Sequence, residues 1–546
     1  MGVPALFSNV VRTHPAVIKT LEGVSVCGGG RHIEKAKYDN LYLDSNSVVY
    51  DCVHRSHGKP VTDESIIGDV CKQIHSYISL VKPSKTVIIA FDGVAPVAKL
   101  ENQRNRRYKS EFVASLMRHA GVAKTSWDTT AITPGTPFME KLDAGLRSYF
   151  GGQSKSKFGA ESVMLTTSME AGEGEHKIFE FIRNNEDKHA DEKTVIYGLD
   201  ADLIMLSINH LDVCPNLFLF RETPHFIRSL NRNLDPGQLY TLDIGELFAG
   251  VCNTMYGKCK QEELPSPRDY VLLVSLLGND YIPHNPAFNI RTGGLDVLMN
   301  SYKSAFVSGV KCHSGDLLTD GEFLNWDNLR VFVRALAAME EGLLVTEHNR
   351  REAMSRKPFA LRGNGKAIGL DDEITQRLDA IPTYNREKER YIDPTEDYWQ
   401  ERYYVALFGG RRNDVAPAVC RAYLEALEWT MRYYTVGCPD WRWSYPYAYA
   451  PLFCDLLEHM PTSGEMVKQA KPNPVSAMTQ LSYVLPVTAQ HMIPQRLRQE
   501  LCDKMEGKYG SNWDFEWAYC RYFWECHANM PHIDVEQLER IVIGVR

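Results

Sequence analysis

The stretch Val195-Ile196-Tyr197-Gly198-Leu199-Asp200-Ala201-Asp202-Leu203-Ile204 decides how this chain is read. A short apolar run with β-branched residues delivers two aspartates, the pattern of a strand buried in a parallel sheet. Asp200 and Asp202 are two residues apart, so an extended backbone points both to one face. Side by side at the end of a buried strand, two carboxylates repel each other and are costly unless they share a cation or a proton. Open α/β sheets place their sites at the carboxyl ends of strands. A solvated turn at a strand end also fits this stretch taken alone; three others built the same way weigh against it.

Leu41-Tyr42-Leu43-Asp44 is one of them, and Thr86-Val87-Ile88-Ile89-Ala90-Phe91-Asp92-Gly93 is a second. Between them, Ile66 to Leu80 has the periodicity of an amphipathic helix, so the order is strand, helix, strand. That order implies a right-handed crossover and a parallel sheet. Ser45-Asn46-Ser47 suit a helix start, and Val48 to His54 continue it, bringing Tyr50 beside the pocket at Asp44. Gly28-Gly29-Gly30 marks a turn. Val163-Met164-Leu165 is a third short strand, leading into Glu170-Ala171-Gly172-Glu173-Gly174-Glu175-His176. Glycines there let Glu173 and Glu175 approach a shared point closely. Tyr270 to Leu277 reads as an apolar helix, with Asp280 held in a turn between Gly278 and Pro283.

Seven acids thus occupy element ends: Asp44, Asp92, Glu173, Glu175, Asp200, Asp202 and Asp280. If they converge, only divalent cations make the cluster tolerable. All-oxygen ligands suit Mg²⁺ or Mn²⁺, and this many acids favour two ions. A pair of ions can activate a water and stabilise the leaving oxygen in phosphodiester cleavage. The cysteines offer no competing zinc site, because no CxxC pair occurs.

A helix begins near Val97 and carries Lys99, Gln103, Arg106 and Arg107 on one face, with Arg104 and Lys109 adding charge nearby. Forked guanidinium donors, a point charge and a neutral donor suit a terminal phosphate. A solvated helix face fits the same pattern. Farther on, Leu329 to Leu344 is helical, and Glu347 to Gly369, with Gly363-Asn364-Gly365, reads as a surface loop or linker. From Asp393 the chain turns aromatic. Most of those rings are expected in the core, but a tryptophan beside Arg442, as in Trp441-Arg442-Trp443, also suits a platform for a stacked base.

Composition bounds the rest. The 546 residues are 44% apolar and 24% charged, enough for a sizeable core. A formal net charge of −8 argues against a protein that coats nucleic acid, but not against a local basic track. No apolar run is long enough to span a bilayer, and no secretory leader is expected. The 13 cysteines are expected to be free thiols in a reducing compartment.

The motifs resemble the XRN family of 5′→3′ exoribonucleases. The matching stretches are MGVPALF, LYLDSNSVVYDCVH, AFDGVAPVAKLENQRNRRYKS, ITPGTPFMEKL, GEGEHKIFEFIR, IYGLDADLIMLSI, LLGNDYIPHNP, DYWQERYY and YYTVGCPDWRWSYPYAYAP, with LSYVLPVTAQHMIP and MPHID fitting more weakly. They run in family order along nearly the whole chain. The resemblance implies a mostly parallel α/β sheet flanked by helices, like the PIN and FEN nuclease core, with a second conserved region packed against it. The expected division is 1–300 for the nuclease core, 301–390 for a helical connector and polar loop, and 391–546 for an aromatic-rich region closing the site. It also implies that all seven acids hold metal, and that Lys99, Gln103, Arg106 and Arg107 bind a 5′-monophosphate. The family stacks its leading bases between a histidine, here Tyr50, and a tryptophan, here Trp441 or Trp443, with Trp441 favoured.

Other departures are Val97 where the family usually has arginine, and the absence of long C-terminal extensions and of a zinc knuckle, so a minimal catalytic core is expected. The implied substrate is single-stranded RNA with a 5′-monophosphate, degraded to nucleoside 5′-monophosphates in RNA turnover. Decapping or other RNA-decay proteins are the expected partners, and a cytoplasmic monomer the expected form. Two other readings are a structure-selective DNA flap endonuclease and a silent module that binds RNA ends. Tandem aromatic motifs argue against the first, and an intact acid set argues against the second.

Overall fold

Alternation within single strands explains the layered core of this protein. In the computed structural model, Leu41 and Leu43 face one side of the central sheet and Tyr42 the other, and all three are buried. Val87 and Ile89 against Ile88, and Val195 and Tyr197 against Ile196, repeat the division. Both faces of these strands are therefore apolar, as a sheet covered by helices on two sides requires. The structure describes residues 5–21, 37–55, 61–122, 127–152, 157–224, 226–257, 268–307, 318–363, 368–467, 473–510 and 514–545. The glycine turn at Gly28–Gly30 and most of Gly363-Asn364-Gly365 lie outside them.

The sheet has seven strands: β1 (Ile18–Thr20), β2 (Asn40–Asp44), β3 (Thr86–Ala90), β4 (Ser162–Thr166), β5 (Thr194–Tyr197), β6 (Leu217–Arg221) and β7 (Tyr240–Asp243). Their order is β1-β7-β6-β5-β2-β3-β4. β2 through β6 run parallel, whereas β7 lies antiparallel on β6 and β1 antiparallel on β7. The chain builds outward from β2 through β3 to β4, then returns to place β5 on the other side of β2. This reversal leaves a crevice at the carboxyl ends of β2 and β5, the usual ligand position in such sheets.

One face of the sheet is covered by the helices Asn46–Arg55, Asp63–Val81 and Pro137–Phe150. The other is covered by Gly174–Arg183, Asp202–Asn209 and Ile244–Tyr256. Packing on that second face continues without a break into the later helices Trp326–Ser355 and Arg412–Thr435. The first of these runs past Leu344 to Ser355, so the polar stretch from Glu347 begins as helix, not as a loop. Buried Glu347 and Arg351 explain the difference, because Arg351 donates to Glu389 at 2.7 and 2.8 Å. The polar residues there make an internal ion pair, which hydropathy alone does not reveal.

The basic helix spans Val97–His119. Its apolar side, with Val97 and Leu100, packs on helices Ala477–Val484, Gln495–Lys504 and Val535–Val545. Leu481, Leu485, Leu497, Leu501 and Leu538 are buried there, each worth about 1.5–3 kcal/mol. The C-terminal helices thereby fix the position of the basic face. All ten described cysteines are free, and no helix among the described residues is long and apolar enough to cross a membrane.

Candidate active site

Seven carboxylates from separate elements meet at the crevice between β2 and β5. Asp44 ends β2, and Asp92 lies two residues beyond β3. Glu173 immediately precedes the helix Gly174–Arg183, and Glu175 is its second residue. Asp200 follows β5 in a loop, and Asp202 is the first residue of the helix Asp202–Asn209. Asp280 sits in the turn after the helix Arg268–Ser275. The strand of the opening stretch thus stops at Tyr197, so Asp200 and Asp202 are not brought together by extended backbone as expected. A turn into a helix does it instead. One carboxylate oxygen from each of Asp200, Asp202 and Asp280 lies within 4.8 Å of the others.

Neighbouring groups aim these acids. Asp92 Oδ1 accepts from the Gly174 N–H at 2.6 Å and Oδ2 from Asn46 Nδ2 at 2.5 Å. The N-terminus of the Gly174 helix therefore points its backbone dipole at an acid. Glu173 Oε1 accepts from the hydroxyls of Tyr281 at 3.0 Å and Tyr433 at 2.9 Å. Asp280 Oδ1 accepts from Asn102 Nδ2 at 2.8 Å. Two glycines make room. A Cβ on Gly174 would stand 2.6 Å from Asp44 Oδ1, and Gly278 has φ of 88° and leaves no room for a Cβ, which would stand 2.9 Å from the His284 backbone nitrogen. His176 stacks on Tyr433 at 3.7 Å between ring centres, and burial pushes its pKa down to about 3, so it is neutral.

Lys99 enters the cluster directly. Its Nζ lies 2.9 Å from Glu173 Oε2 and 2.5 Å from Asp280 Oδ2. Burial alone would raise the Asp280 carboxyl pKa, but Lys99 outweighs it and holds that carboxyl well below the usual range. Glu173 and Asp200 are also lowered, whereas Asp44, Asp92, Glu175 and Asp202 are pushed the other way. Burial first, then Asp92 and Asp200, raises Asp44 well above its ordinary value. Burial, then Asp200, does the same to Glu175, and burial, then Asp200 and Asp280, to Asp202. Both oxygens of Asp202, one of Asp44 and one of Glu175 are buried with no hydrogen-bond partner. Carboxylate oxygens converging in this state are what a hard divalent cation takes, so the residues fit Mg²⁺ or Mn²⁺.

The acids open into a cavity of about 1780 Å³. Lys99, Gln103, Arg106 and Arg107 line it, as does Tyr50. Arg107 also braces the adjoining loop, donating to Thr130 O at 3.3 Å and Thr133 Oγ1 at 2.5 Å. Arg104 does not add charge to this face. It is buried on the far side, donating to Pro531 O and Lys508 O. Lys109 lines the cavity, but its ammonium is spent on Trp524 O and Cys526 O at 2.6 and 2.7 Å.

The aromatic wall differs from the expectation. Trp441 and Trp443 are not among the lining residues. Trp443 stacks on Trp429 in the core, and the Trp441 carbonyl accepts from the Val97 N–H at 3.0 Å, closing the start of the basic helix. Trp524 lines the cavity instead, 37% exposed, as does Tyr50 at 36%. Tyr522 stacks beneath Trp524, and Arg291, paired to Glu525 at 2.7 Å, lies close to both rings. Nothing in the spacing of Phe523-Trp524-Glu525 marks it out. The cations around it, Arg291 near its ring and Lys109 on its carbonyl, are brought there only by the fold.

Comparison with known proteins adds two family matches and several relatives. The XRN 5′-3′ exonuclease N-terminus matches residues 1–223, and the Xrn1 helical domain matches 268–380 and 383–545. The "5′-3′ exoribonuclease 2" of Debaryomyces hansenii is 26% identical over 98% of this chain and 69% of its own length. That of Arabidopsis thaliana is 26% identical over 98% of this chain and 66% of its own length. The "5′-3′ exoribonuclease 1" of Saccharomyces cerevisiae is 24% identical over 92% of this chain but only 40% of its own length. This chain therefore spans about two thirds of the first two relatives and less of the third. The solved catalytic core of Rad2 with a DNA substrate is 12% identical, with a TM-score of 0.29 over 62% of this chain and 79% of that one, a likeness too slight to bear on the site.

Proposed function

This chain belongs to the XRN 5′-3′ exonuclease family, and from that premise and the geometry above we propose that it is a 5′→3′ exoribonuclease. It degrades single-stranded RNA carrying a 5′-monophosphate to nucleoside 5′-monophosphates, in RNA turnover. The observation that carries this reading is one cavity that joins a seven-carboxylate cluster to the cationic face of a helix. The names of the relatives support RNA as the substrate.

Asp44, Asp92, Glu173, Glu175, Asp200, Asp202 and Asp280 would hold two divalent ions, Mg²⁺ or Mn²⁺. When bound, such ions supply an ionised water at neutral pH and charge stabilisation for the departing 3′-oxygen. The protein's own groups do the positioning. Gln103 and Arg106, with Lys99, bind the terminal phosphate and so register the first phosphodiester against the acids. Tyr50 and Trp524, exposed on the cavity wall, stack bases that follow, each worth about 1–3 kcal/mol. Tyr433, from the aromatic-rich region 391–546, fixes Glu173 and so couples closure by that region to the chemistry. A capped or triphosphorylated end is expected to be a poor substrate. The ten free thiols fit a reducing, cytoplasmic setting.

Asp200→Ala tests the reading. It should abolish Mg²⁺-dependent loss of single-stranded RNA while the melting temperature and RNA binding persist. Comparable turnover by this variant, or wild-type preference for a DNA flap over plain RNA, would overturn it.

A further inference from the structure

We propose that Lys99 is a relay between the acidic cluster and the phosphate pocket: its ammonium holds Glu173 and Asp280 until a divalent cation takes those carboxylates, and then passes to the substrate's terminal phosphate. The proposal rests on the reading above for what each site binds, and adds that the two sites compete for one side chain.

The division of labour among carboxylate oxygens carries the argument. Glu173 Oε1 is pinned by the hydroxyls of Tyr281 and Tyr433, whereas Oε2 faces Lys99 Nζ at 2.9 Å. Asp280 Oδ1 is pinned by Asn102, whereas Oδ2 faces Lys99 Nζ at 2.5 Å. Each acid is thus fixed by neutral donors through one oxygen and presents the other to a cation. Around them, Asp44, Glu175 and Asp202 carry buried oxygens without hydrogen-bond partners, which draw a divalent ion to the same point. An ion placed there shares Glu173 and Asp280 with an ammonium a few ångströms away, and the two cations repel strongly in so buried a setting.

Of the groups involved, Lys99 is the one free to move. It is a compact charge on a flexible four-carbon stem, while both acids are braced. Its root lies in the first turn of the basic helix, and Gln103 and Arg106, one and two turns on, line the same cavity. An ammonium released from the acids has its next partner beside those two donors, where an anionic phosphate would sit. The order of events is then ion first, phosphate second, so a phosphorylated end is gripped only by a site already loaded for chemistry. Reciprocity follows: if ion binding improves phosphate affinity, phosphate binding improves ion affinity by the same factor.

The test uses the full chain, Mn²⁺, and uridine 5′-monophosphate against uridine as probes, with free Mn²⁺ read by electron paramagnetic resonance. In the wild type, the monophosphate should tighten Mn²⁺ binding about fivefold or more, within the ordinary range of coupling, and uridine should not. Lys99→Met should bind Mn²⁺ more tightly than the wild type without nucleotide, and the monophosphate should add nothing further. Unchanged or weaker Mn²⁺ binding by Lys99→Met, or a monophosphate effect that survives in it, would overturn the relay while leaving the metal and phosphate assignments standing. A wild type that binds no Mn²⁺ would overturn the metal assignment and the relay with it. If Lys99→Met does not fold, the ¹⁵Nζ resonance of Lys99, assigned by its loss in Lys99→Arg, decides. It should shift on adding Mg²⁺ and shift again with the monophosphate; a resonance unmoved by Mg²⁺ overturns the relay.

Discussion

Replacing Gly174 by alanine adds one methyl group where the acids are most crowded. The new Cβ would stand 2.6 Å from Asp44 Oδ1 and 3.4 Å from both Ala90 O and Asp92 Oδ1. The last two distances are ordinary contacts and the first is not. The Asp44 carboxylate must therefore retreat by about 0.8 Å to regain ordinary contact. A misplacement of about 1 Å in a catalytic constellation costs on the order of 10²-fold in rate. Because Gly174 opens a helix, alanine gains up to about 1 kcal/mol of intrinsic preference there, which offsets part of the strain. The variant should thus keep its fold, melting within a few degrees of wild type, and lose about 100-fold in kcat/KM on 5′-monophosphorylated RNA with Mg²⁺. Gly68→Ala is the control: it lies within the helix Asp63–Val81 with nothing within 4 Å of a Cβ. It should gain about 1 kcal/mol of stability at unchanged activity. Near wild-type turnover by Gly174→Ala would refute the claim that Asp44 is held at a fixed place by this close approach.

Asp202→Asn removes one charge from the cluster, so it should raise the melting temperature in chelator-containing buffer while reducing cleavage to background, because both Asp202 oxygens are buried without partners; a fall in melting temperature would contradict that. Trp524→Ala should weaken binding of single-stranded RNA by about 1–3 kcal/mol at little cost in stability, whereas Trp443→Ala, which breaks the stack on Trp429, should cost about 3–5 kcal/mol of stability; anisotropy and denaturant melts separate the two. Glu340 is buried and accepts from Asn285 Nδ2 and the Phe453 N–H, and burial raises its carboxyl from 4.5 to about 7. A raised carboxyl is protonated in the folded chain where the unfolded chain is already ionised. Its stabilisation is therefore full below pH 4.5 and is lost as pH rises through about 7. The stability gap between wild type and Glu340→Gln, from denaturant melts at pH 5 and pH 8, should shift against the wild type by roughly 2.5 kcal/mol.

Much of the site was legible because its acids sit where backbone rules put them. Apolar runs rich in β-branched residues end at Asp44, near Asp92 and near Asp200, and a parallel sheet aligns such ends. The basic helix was legible from spacing alone, since i, i+4 and i+7 share a face. Spacing does not say which charges that face will meet, so the entry of Lys99 into the acidic cluster and the diversion of Arg104 and Lys109 to backbone carbonyls were not visible. The place of Trp524 on the cavity wall was not visible for a related reason. Its neighbours across the cavity come from residues hundreds of positions away, and local composition at Trp441-Arg442-Trp443 looked more like a base platform. The strands β6 and β7 escaped notice because Leu217–Arg221 and Tyr240–Asp243 are short, and β7 with β1 pairs antiparallel at an edge. Tyr281 and Tyr433 are buried, and their hydroxyls reach Glu173 only once the two halves of the chain pack.

The most direct test of the account is to follow one RNA in two forms, with a 5′-monophosphate and with a 5′-hydroxyl, both with Mg²⁺ and the full chain. Loss of the phosphorylated RNA alone, with nucleoside 5′-monophosphates as the product from the first time points, is what the basic face and the seven acids predict. Equal decay of both forms, or fragments from internal cuts, would contradict it, because either result would mean that the cavity does not select a phosphorylated end.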